Sequence, residues 1–287
     1  MSNIILGTVQ FGLDYGINNA LGKTPISEVH RILNYVYSKG IKTLDTASGY
    51  GDSEEIIGDY LVSNPDKKFE IITKVNSSKI SLEKQLHESL QKLKVDKVAV
   101  LMLHSYELYE KFKSKLPLFC QKNKGKFFNE LGVSVYTNEE VGVISSDPVI
   151  DRIQTPFNLL DNEQKRGERY ADIKSKGKII DTRSVFLQGL FFKDTNELPP
   201  YLEPLREPLE KLKKIAESNS LRMDELAIGY ASSMDFIDNI LIGVDSLDQL
   251  KDNLNVLSNL ISMETIEAIN MISIQNDNLL NPSLWKM

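Results

Sequence analysis

The sequence predicts a (β/α)8 barrel built as one domain over residues 1–287, with a C-terminal tail from about residue 274. Short apolar, β-branched runs alternate with longer segments of helical periodicity, which indicates a parallel sheet covered by helices. Eight such units in about 250 residues match the size of this barrel. A doubly wound sheet fits the same alternation. However, the segment from Gly7 to Gly16 lacks the Gly-x-Gly-x-x-Gly pattern that opens such a sheet in nucleotide-binding proteins.

In the first half of the chain, each predicted strand is a short apolar run, and a helix of clear periodicity follows most of them. The helix over Ser27–Lys39 begins with a residue suited to an N-cap and ends at Gly40. The run over Val98–His104 is almost wholly apolar, which is typical of a strand buried on both faces. The predicted strands of this half are Asn3–Gly7, Ile41–Asp45, Phe69–Lys74 and Val98–His104, and the predicted helices are Ser27–Lys39, Ser53–Ser63 and Ser81–Leu93.

The second half continues the alternation with less regular spacing. The predicted strands are Glu130–Val135, Arg152–Thr155, Lys178–Ser184 and Asn239–Gly243, and the predicted helices are Asn138–Ile144, Gln164–Lys176, Leu205–Ser218, Met223–Ser233, Leu247–Leu257 and Met263–Ile272. The connections are short, and no segment rich in glycine, serine or proline divides the chain. We therefore expect one domain.

Composition excludes several classes of protein. The 34 basic and 40 acidic residues give a net charge of −6, so we expect no nucleic-acid partner. No stretch approaches about 18 uninterrupted apolar residues, and the N-terminus lacks the pattern of a signal peptide, which predicts no membrane span and a cytoplasmic location. Cys120 is the only cysteine, and His30, His87 and His104 show no metal-ligand spacing, so we expect no metal site. We expect a monomer or a weak homo-oligomer.

Four predicted strands end in polar side chains at a regular spacing. Asp45, Lys74, His104 and Ser134 lie at the ends of consecutive strands, 29, 30 and 30 positions apart. Functional side chains of a (β/α)8 barrel project from the carboxyl ends of its strands, so these groups should converge on one site. Tyr50 follows Asp45 in the next loop and should reach the same point. Each residue alone has an ordinary explanation as a cap, a rim residue or a core residue, but four at this spacing indicate a common role.

The combination suits the reduction of a carbonyl group by an external hydride. A phenol with its usual pKa of about 10 is a poor acid at neutral pH, and a neighbouring ammonium lowers that pKa. Lys74 would supply the ammonium, and Asp45 would keep it charged. His104 would hydrogen-bond the carbonyl oxygen and orient it toward Tyr50, which would donate the proton.

The segment Asp45-Thr-Ala-Ser-Gly-Tyr50-Gly-Asp-Ser-Glu-Glu-Ile-Ile-Gly58 resembles the signature of the aldo-keto reductase superfamily. The runs 71–75, around Lys74, and 101–105, around His104, match its two other catalytic motifs, and the resemblance covers essentially the whole chain. It implies a (β/α)8 barrel with Tyr50 as general acid, Lys74 and Asp45 as its tuning pair, and His104 as the carbonyl-orienting group. It also implies a small-molecule carbonyl substrate and an extended nicotinamide dinucleotide, NADPH by default with NADH possible, bound without a Rossmann fold.

The resemblance further implies cofactor contacts at the strand ends. Val135 replaces an asparagine that usually follows Ser134, and Arg183 replaces a tyrosine that stacks on the nicotinamide in many members. Arg183 can stack as well, contact a phosphate or an acidic substrate, or form an ordinary ion pair at the rim. The implied cofactor-binding residues are Gly7, Thr8, Ser134, Gln154, Arg183, Ser184, Gly243, Ser246, Gln249 and Asn253.

The adenosine end departs from members that prefer NADPH. Those members place lysine or arginine near the 2′-phosphate, whereas this chain has Asp245 and Gln249, with Lys251 as the nearest cation. We therefore expect weak discrimination between NADPH and NADH. A plain helix start with Ser246 as N-cap is the alternative interpretation of this segment.

The predicted substrate pocket consists of aromatic residues near strand ends and in the tail: Phe11, Tyr15, Tyr106, Phe157, Phe186 and Trp285. Two functions other than carbonyl reduction stay open. The first is a cofactor-binding sensor or regulatory subunit with incidental turnover. The second is a sugar-modifying enzyme on the same scaffold that catalyses a redox-neutral reaction or an internal hydride transfer.

Overall fold

The computed structural model of the protein describes residues 3–19, 21–255 and 261–285. Eight parallel strands close into a barrel in chain order, and the last strand pairs with the first. The predicted (β/α)8 barrel is therefore confirmed. The strands are β1 (Asn3–Gly7), β2 (Thr43–Asp45), β3 (Glu70–Val75), β4 (Val98–Leu103), β5 (Phe128–Ser134), β6 (Arg152–Pro156), β7 (Ile179–Arg183) and β8 (Asn239–Gly243).

Helices surround the barrel and are held by local signals in the sequence. Ser81 caps one of them by accepting a hydrogen bond from the Lys84 amide, and Thr137 and Glu140 form a capping box on another. Within the described residues the α-helices are α1 (Val9–Gly12), α2 (Ile26–Ser38), α3 (Ser53–Ser63), α4 (Leu82–Leu93), α5 (Tyr106–Phe112), α6 (Leu116–Asn123), α7 (Asn138–Ser145), α8 (Glu163–Ser175), α9 (Arg206–Ser218), α10 (Met223–Ser232), α11 (Leu247–Asn255) and α12 (Met263–Asn270). No described helix is long and apolar enough to cross a membrane.

The sequence did not predict the connection between β4 and β5. Two short helices, α5 and α6, are joined there by a 3-10 turn over Lys113–Lys115, and this break interrupts the helical periodicity. 3-10 segments over Leu187–Phe192, Thr195–Glu197 and Pro200–Leu205 also fill the stretch between the predicted strand over Lys178–Ser184 and the predicted helix that begins at Leu205, and residues at positive φ interrupt the first of them. The predicted end of the Leu247–Leu257 helix lies outside the described residues.

The core has two layers. The larger lies between the strands and the surrounding helices, where the apolar faces of both meet. The smaller lies inside the barrel and consists of Ile5, Ile72, Val100 and Met102. Polar side chains are also buried in the protein near the strand ends, and the site described below is built from several of them.

The amino ends of the strands surround an opening of about 780 Å³. Arg152 bridges Glu130 and the buried Asp181 there, at 2.8 and 2.9 Å, and Asn239 also donates to Asp181. Burial raises the pKa of Asp181 to about 6 although Arg152 opposes the shift. This opening is larger than the one at the other end, but none of the predicted catalytic residues lines it. We assign it a structural role, because functional groups of this fold lie at the carboxyl end.

Candidate active site

The carboxyl ends of the strands surround a cavity of about 590 Å³. Asp45, Tyr50 and His104 line it, and Lys74 lies directly behind Asp45. The fold therefore brings Tyr50 together with Asp45, Lys74 and His104, three of the residues that the spacing of the strand ends selects, and Ser134, the fourth, also lines the cavity.

Lys74 and Asp45 form an ion pair on neighbouring strands, and each side chain is only 1% exposed. Lys74 Nζ also donates to the carbonyl oxygen of Thr46 at 3.2 Å, and the second carboxylate oxygen of Asp45 accepts from Gln154 Nε2 at 2.8 Å. Burial by itself would lower the pKa of Lys74, but Asp45 and Tyr50 together outweigh it, so that pKa is raised. The ammonium therefore stays charged.

Tyr50 lies in the turn after β2, where its ring is near the Lys74 ammonium. Lys74 Nζ is 5.2 Å from the ring centroid. Although part of the ring faces the cavity, burial raises the pKa of Tyr50, and the charge of Lys74 only partly offsets this. Lys74 therefore lowers the pKa of Tyr50 as the sequence predicts, but burial is the larger effect and the net shift is upward. The phenol is protonated at neutral pH, which is the state that a proton donor requires.

His104 follows β4, and its ring meets the edge of Tyr50, with centroids 5.6 Å apart and planes at 80°. Burial lowers the pKa of His104 to about 3, and the positive charges of Lys74 and Arg183 add to the shift. The imidazole is therefore neutral, and a neutral ring with one N–H can donate to a carbonyl oxygen without carrying charge.

Arg183 ends β7 and stacks on Tyr136, with Cζ 4.0 Å from the ring centroid. Its guanidinium donates to the carbonyl oxygen of Val135 at 3.2 Å and to the Ser184 hydroxyl at 3.3 Å. Among the described residues it forms no ion pair, so the alternative of an ordinary rim salt bridge does not apply there. The sequence did not single out Tyr136, although its place directly after the fifth strand could have indicated it.

Most of the cofactor residues implied by the sequence line the cavity: Gly7, Thr8, Ser134, Gln154, Arg183, Ser184, Gly243 and Gln249. The other two do not line it. Ser246 accepts a hydrogen bond from the Gln249 amide at 3.2 Å, which agrees with its alternative role as a helix cap. Asn253 lies buried behind the helix start, and its Nδ2 has no hydrogen-bond partner.

Of the six aromatic residues predicted to form the substrate pocket, three line the cavity and three do not. Tyr15, Phe186 and Trp285 line the cavity. Phe11 and Phe157 do not, because both are fully buried in the layer between strands and helices, where Phe157 stacks on Tyr230. Tyr106 does not line it either, because it lies on α5 and packs against Tyr109. A strand-end aromatic does not reveal which side of the sheet it faces, so the sequence could not separate the two groups.

Two loops meet across the mouth of the cavity, and the sequence did not predict their contact. Gln188 Nε2 donates to the Tyr15 hydroxyl at 2.8 Å, and the Ile17 amide donates to the Gln188 carbonyl oxygen at 3.1 Å. Asn18 adds a bond to the carbonyl oxygen of Gly189. The loop after β1 is thus tied to the loop after β7, and the second loop holds several residues at positive φ.

The far end of the cavity fits an extended dinucleotide. A Cβ atom at Gly243 would lie 3.0 Å from the side-chain amide of Gln10, so a larger residue there would have to displace that amide. Gln10 lines this end of the cavity, and its Oε1 is buried without a partner and is suited to a polar ligand. Gly243, Gln10 and Gln249 would hold the end of the dinucleotide away from Tyr50.

A sequence model of the aldo/keto reductase family matches residues 3–274. The chain belongs to this family. It is 27% identical over 252 residues to D-arabinose 1-dehydrogenase of Saccharomyces cerevisiae, covering 77% of this chain and 73% of that protein. It is 24% identical over 269 residues to L-galactose dehydrogenase of Arabidopsis thaliana, covering 85% and 83%.

Solved structures of aldo-keto reductases share the fold. The holo form of an enzyme from Bacillus halodurans has a TM-score of 0.71 and 20% identity, covering 96% of this chain and 93% of that one. A putative aldo-keto reductase from Pseudomonas aeruginosa has a TM-score of 0.66 and 18% identity, covering 90% of each chain. At these identities the likeness shows a common architecture for this aldo/keto reductase.

Replacement of Gly12 by alanine is expected to displace Tyr50. A Cβ atom there would lie 1.8 Å from the Tyr50 carbonyl oxygen and 2.7 Å from the Ser53 amide nitrogen, and backbone atoms cannot yield easily. We expect a loss of about 1–3 kcal/mol of stability together with a loss of turnover. Thermal unfolding and steady-state rates measure both. Gly142→Ala is the control, since its Cβ would meet Arg169 at an ordinary 3.5 Å in a helix interior, where alanine stabilises by up to about 1 kcal/mol. An unchanged Gly12→Ala protein would contradict this packing.

The lowered pKa of His104 predicts a loss of stability in mild acid. The folded protein keeps this ring neutral down to about pH 3, whereas the unfolded chain takes up a proton near pH 6.5. The unfolded state then binds more protons, so stability falls as the pH falls below about 6.5. The melting temperature of the parent should drop between pH 7 and pH 5 by more than that of His104→Gln. His87→Gln replaces an exposed histidine, so its melting temperature should change with pH as that of the parent does. Parallel curves for all three proteins would refute the assignment.

Proposed function

We propose that this aldo/keto reductase is an NAD(P)H-dependent oxidoreductase that reduces an aldehyde or ketone carbonyl to an alcohol, with Tyr50 as general acid. The observation that carries the proposal is the placement of the Tyr50 phenol between the buried Lys74 ammonium and the neutral ring of His104, at the wall of one cavity. A protonated donor and a neutral orienting group are what carbonyl reduction needs. A bound dihydronicotinamide would supply the hydride.

Each residue of the site has a distinct task in this reaction. His104 donates a hydrogen bond to the carbonyl oxygen and directs it toward Tyr50. As the carbonyl carbon is reduced, the Tyr50 hydroxyl gives its proton to that oxygen. The phenolate that remains lies next to the Lys74 ammonium, which stabilises it, and Asp45 keeps the ammonium charged. In the oxidative direction the same phenolate accepts the proton of an alcohol.

Oxidation of an aldose is the second candidate. It is supported by the names of the two relatives above, both sugar dehydrogenases, and by polar groups at the mouth of the cavity. Gln188 Oε1 is buried there without a partner, and the Tyr15 hydroxyl lies beside the same side chain. Such groups suit a polyhydroxylated ligand. A panel of aldehydes with NADH or NADPH, set against aldoses with NAD⁺ or NADP⁺, would decide the preferred direction and substrate class.

Removal of the Tyr50 hydroxyl should abolish turnover and leave cofactor binding nearly intact. In Tyr50→Phe the proton donor is lost, and general acid catalysis is worth about 10²–10⁴-fold in rate. Single-turnover rates and fluorescence titrations with the cofactor measure the two effects separately. Tyr109→Phe is the matched control, because it removes a hydroxyl that bonds Asp147 at 2.9 Å, away from the cavity. It should keep full activity. A Tyr50→Phe enzyme with near-parental rates would overturn the proposed mechanism.

The two alternatives to carbonyl oxidoreduction have their own signatures. Very slow turnover of every substrate, together with a cofactor that survives gel filtration, would favour a cofactor-binding sensor. Product formed from a sugar with enzyme-bound cofactor and no added dinucleotide would favour a redox-neutral reaction or an internal hydride transfer. Stoichiometric use of added NADH or NADPH supports the proposed function and excludes both.

A further inference from the structure

A carboxylate from a distant part of the chain covers the start of α11, next to the far end of the cavity. Glu28, on α2, accepts a hydrogen bond from the Leu247 amide at 2.8 Å, and its other oxygen accepts from Arg31 at 2.6 Å. The side chain of Glu28 is only 19% exposed, so it is packed in place. The sequence separation of 219 residues explains why no local pattern revealed this contact.

Two further amides at this helix start also donate to side chains of the chain itself. Gln249 Oε1 accepts from the Asp245 amide at 2.7 Å, and Ser246 Oγ accepts from the Gln249 amide at 3.2 Å. Free amides at a helix N-terminus make a ready site for phosphate. Phosphate sites of (β/α)8 barrels are frequently formed by the loops after strands 7 and 8 with such a helix start. In this protein several of those donors are already bound.

The charges around the helix start are unfavourable for a further anion. Glu28 is paired with Arg31, and the exposed Asp248 is paired with Lys251 at 2.9 Å. Asp245 is left without a cation among the described residues. Burial raises the pKa of Asp245, and nearby Asp14 adds to the shift. The two cations are 61% and 41% exposed, so water weakens their attraction for a ligand.

We propose that this helix start makes the enzyme selective for NAD(H) over NADP(H), with Glu28 as the residue that rejects the 2′-phosphate. The inference rests on the proposed use of a nicotinamide dinucleotide. A 2′-phosphate brings a charge near −2 and three acceptor oxygens, and it would meet bound amides and carboxylates. A 2′-hydroxyl is neutral and can donate. Asp245 Oδ1 is a buried acceptor without a partner, which is the kind of group that binds a ribose hydroxyl.

Binding rather than turnover tests this selectivity. Trp285 is the only tryptophan and lines the cavity, so its fluorescence reports the dissociation constants of NADH and NADPH. Adenosine 5′-monophosphate and adenosine 2′,5′-bisphosphate differ only by the 2′-phosphate and isolate its effect. We expect NADH to bind at least about tenfold more tightly than NADPH, with the same order for the two adenosine probes. The preference should shrink as salt is raised from 20 to about 500 mM, because the repulsion is screened.

The Glu28→Gln variant tests whether the charge of Glu28 rejects the 2′-phosphate. A glutamine keeps an oxygen that accepts from the Leu247 amide and removes the charge, so the fold should be retained, as melting curves will show. We expect NADPH to bind about three- to tenfold more tightly and NADH to change by less than about twofold. Glu83→Gln is the matched control, since Glu83 is an exposed glutamate in the first turn of α4, away from the cavity. It should leave both constants unchanged.

The outcomes separate this inference from the proposed function. If neither dinucleotide binds, both fail. If NADPH binds as tightly as NADH or more tightly, the selectivity is wrong and the proposed function stands. If NADH is preferred but Glu28→Gln leaves the ratio of the two constants unchanged, Glu28 is not the residue responsible. A ratio that moves toward NADPH in Glu28→Gln alone supports the inference as stated.

Discussion

The buried ion pair between Lys74 and Asp45 is the interaction on which the rest of the site depends. Removing two charges from water costs several kcal/mol for each ion, and their attraction repays this only when the remaining polar atoms also have partners. Here the Thr46 carbonyl oxygen and the Gln154 amide provide them. The pair therefore fixes β2, β3 and β6 relative to one another at the mouth of the barrel, and Tyr50 follows from β2 at a set distance from the ammonium.

Burial separates the pKa values of two groups near this ammonium, Tyr50 and His104. Burial raises the pKa of Tyr50, and burial together with nearby cations lowers that of His104. Both groups are then neutral over the physiological range, and each has a hydrogen to donate. Groups whose environments push their pKa values apart are the ones to which acid, base and orienting roles belong. A charged imidazole beside Lys74 would add a second cation next to the proposed proton donor, and burial prevents it.

The barrel and the grouping of the candidate site residues at one cavity could be predicted from the sequence because both depend on local periodicity and on one regular spacing. Asp45, Lys74 and His104 are close in space because consecutive parallel strands end at the same edge. Contacts between distant segments carry no such signal. Two hydrogen bonds, from Leu247 to Glu28 and from Gln188 to Tyr15, join residues more than 170 positions apart. No local sequence pattern predicts either pairing.

The orientation of the aromatic residues also could not be predicted from the sequence. Phe11 and Phe157 follow strands as Phe186 does, yet the first two are buried between strands and helices while the third faces the cavity. The direction of such a side chain depends on the course of the loop, which long-range packing decides. An apolar side chain is also stable both between strands and helices and at the cavity wall, so its chemistry does not predict which of the two it occupies.

The apolar layer inside the barrel separates the ion pair from the opening at the amino ends of the strands. The pair therefore acts on groups at the carboxyl ends. Ile5, Ile72 and Val100 also line the opening at the amino ends of the strands, and Met102 completes the layer beside Lys74 in the strand register. The Lys74 side chain is 1% exposed, so protein groups take the place of the water that would otherwise solvate the ammonium. Since Asp45 and Thr46 are fixed acceptors, Tyr50 is the group near the ammonium whose charge would change in the proposed reaction. The negative charge left on Tyr50 would then meet a cation already in place, without rearrangement of solvent, which is the condition under which electrostatic stabilisation of a reaction is most effective.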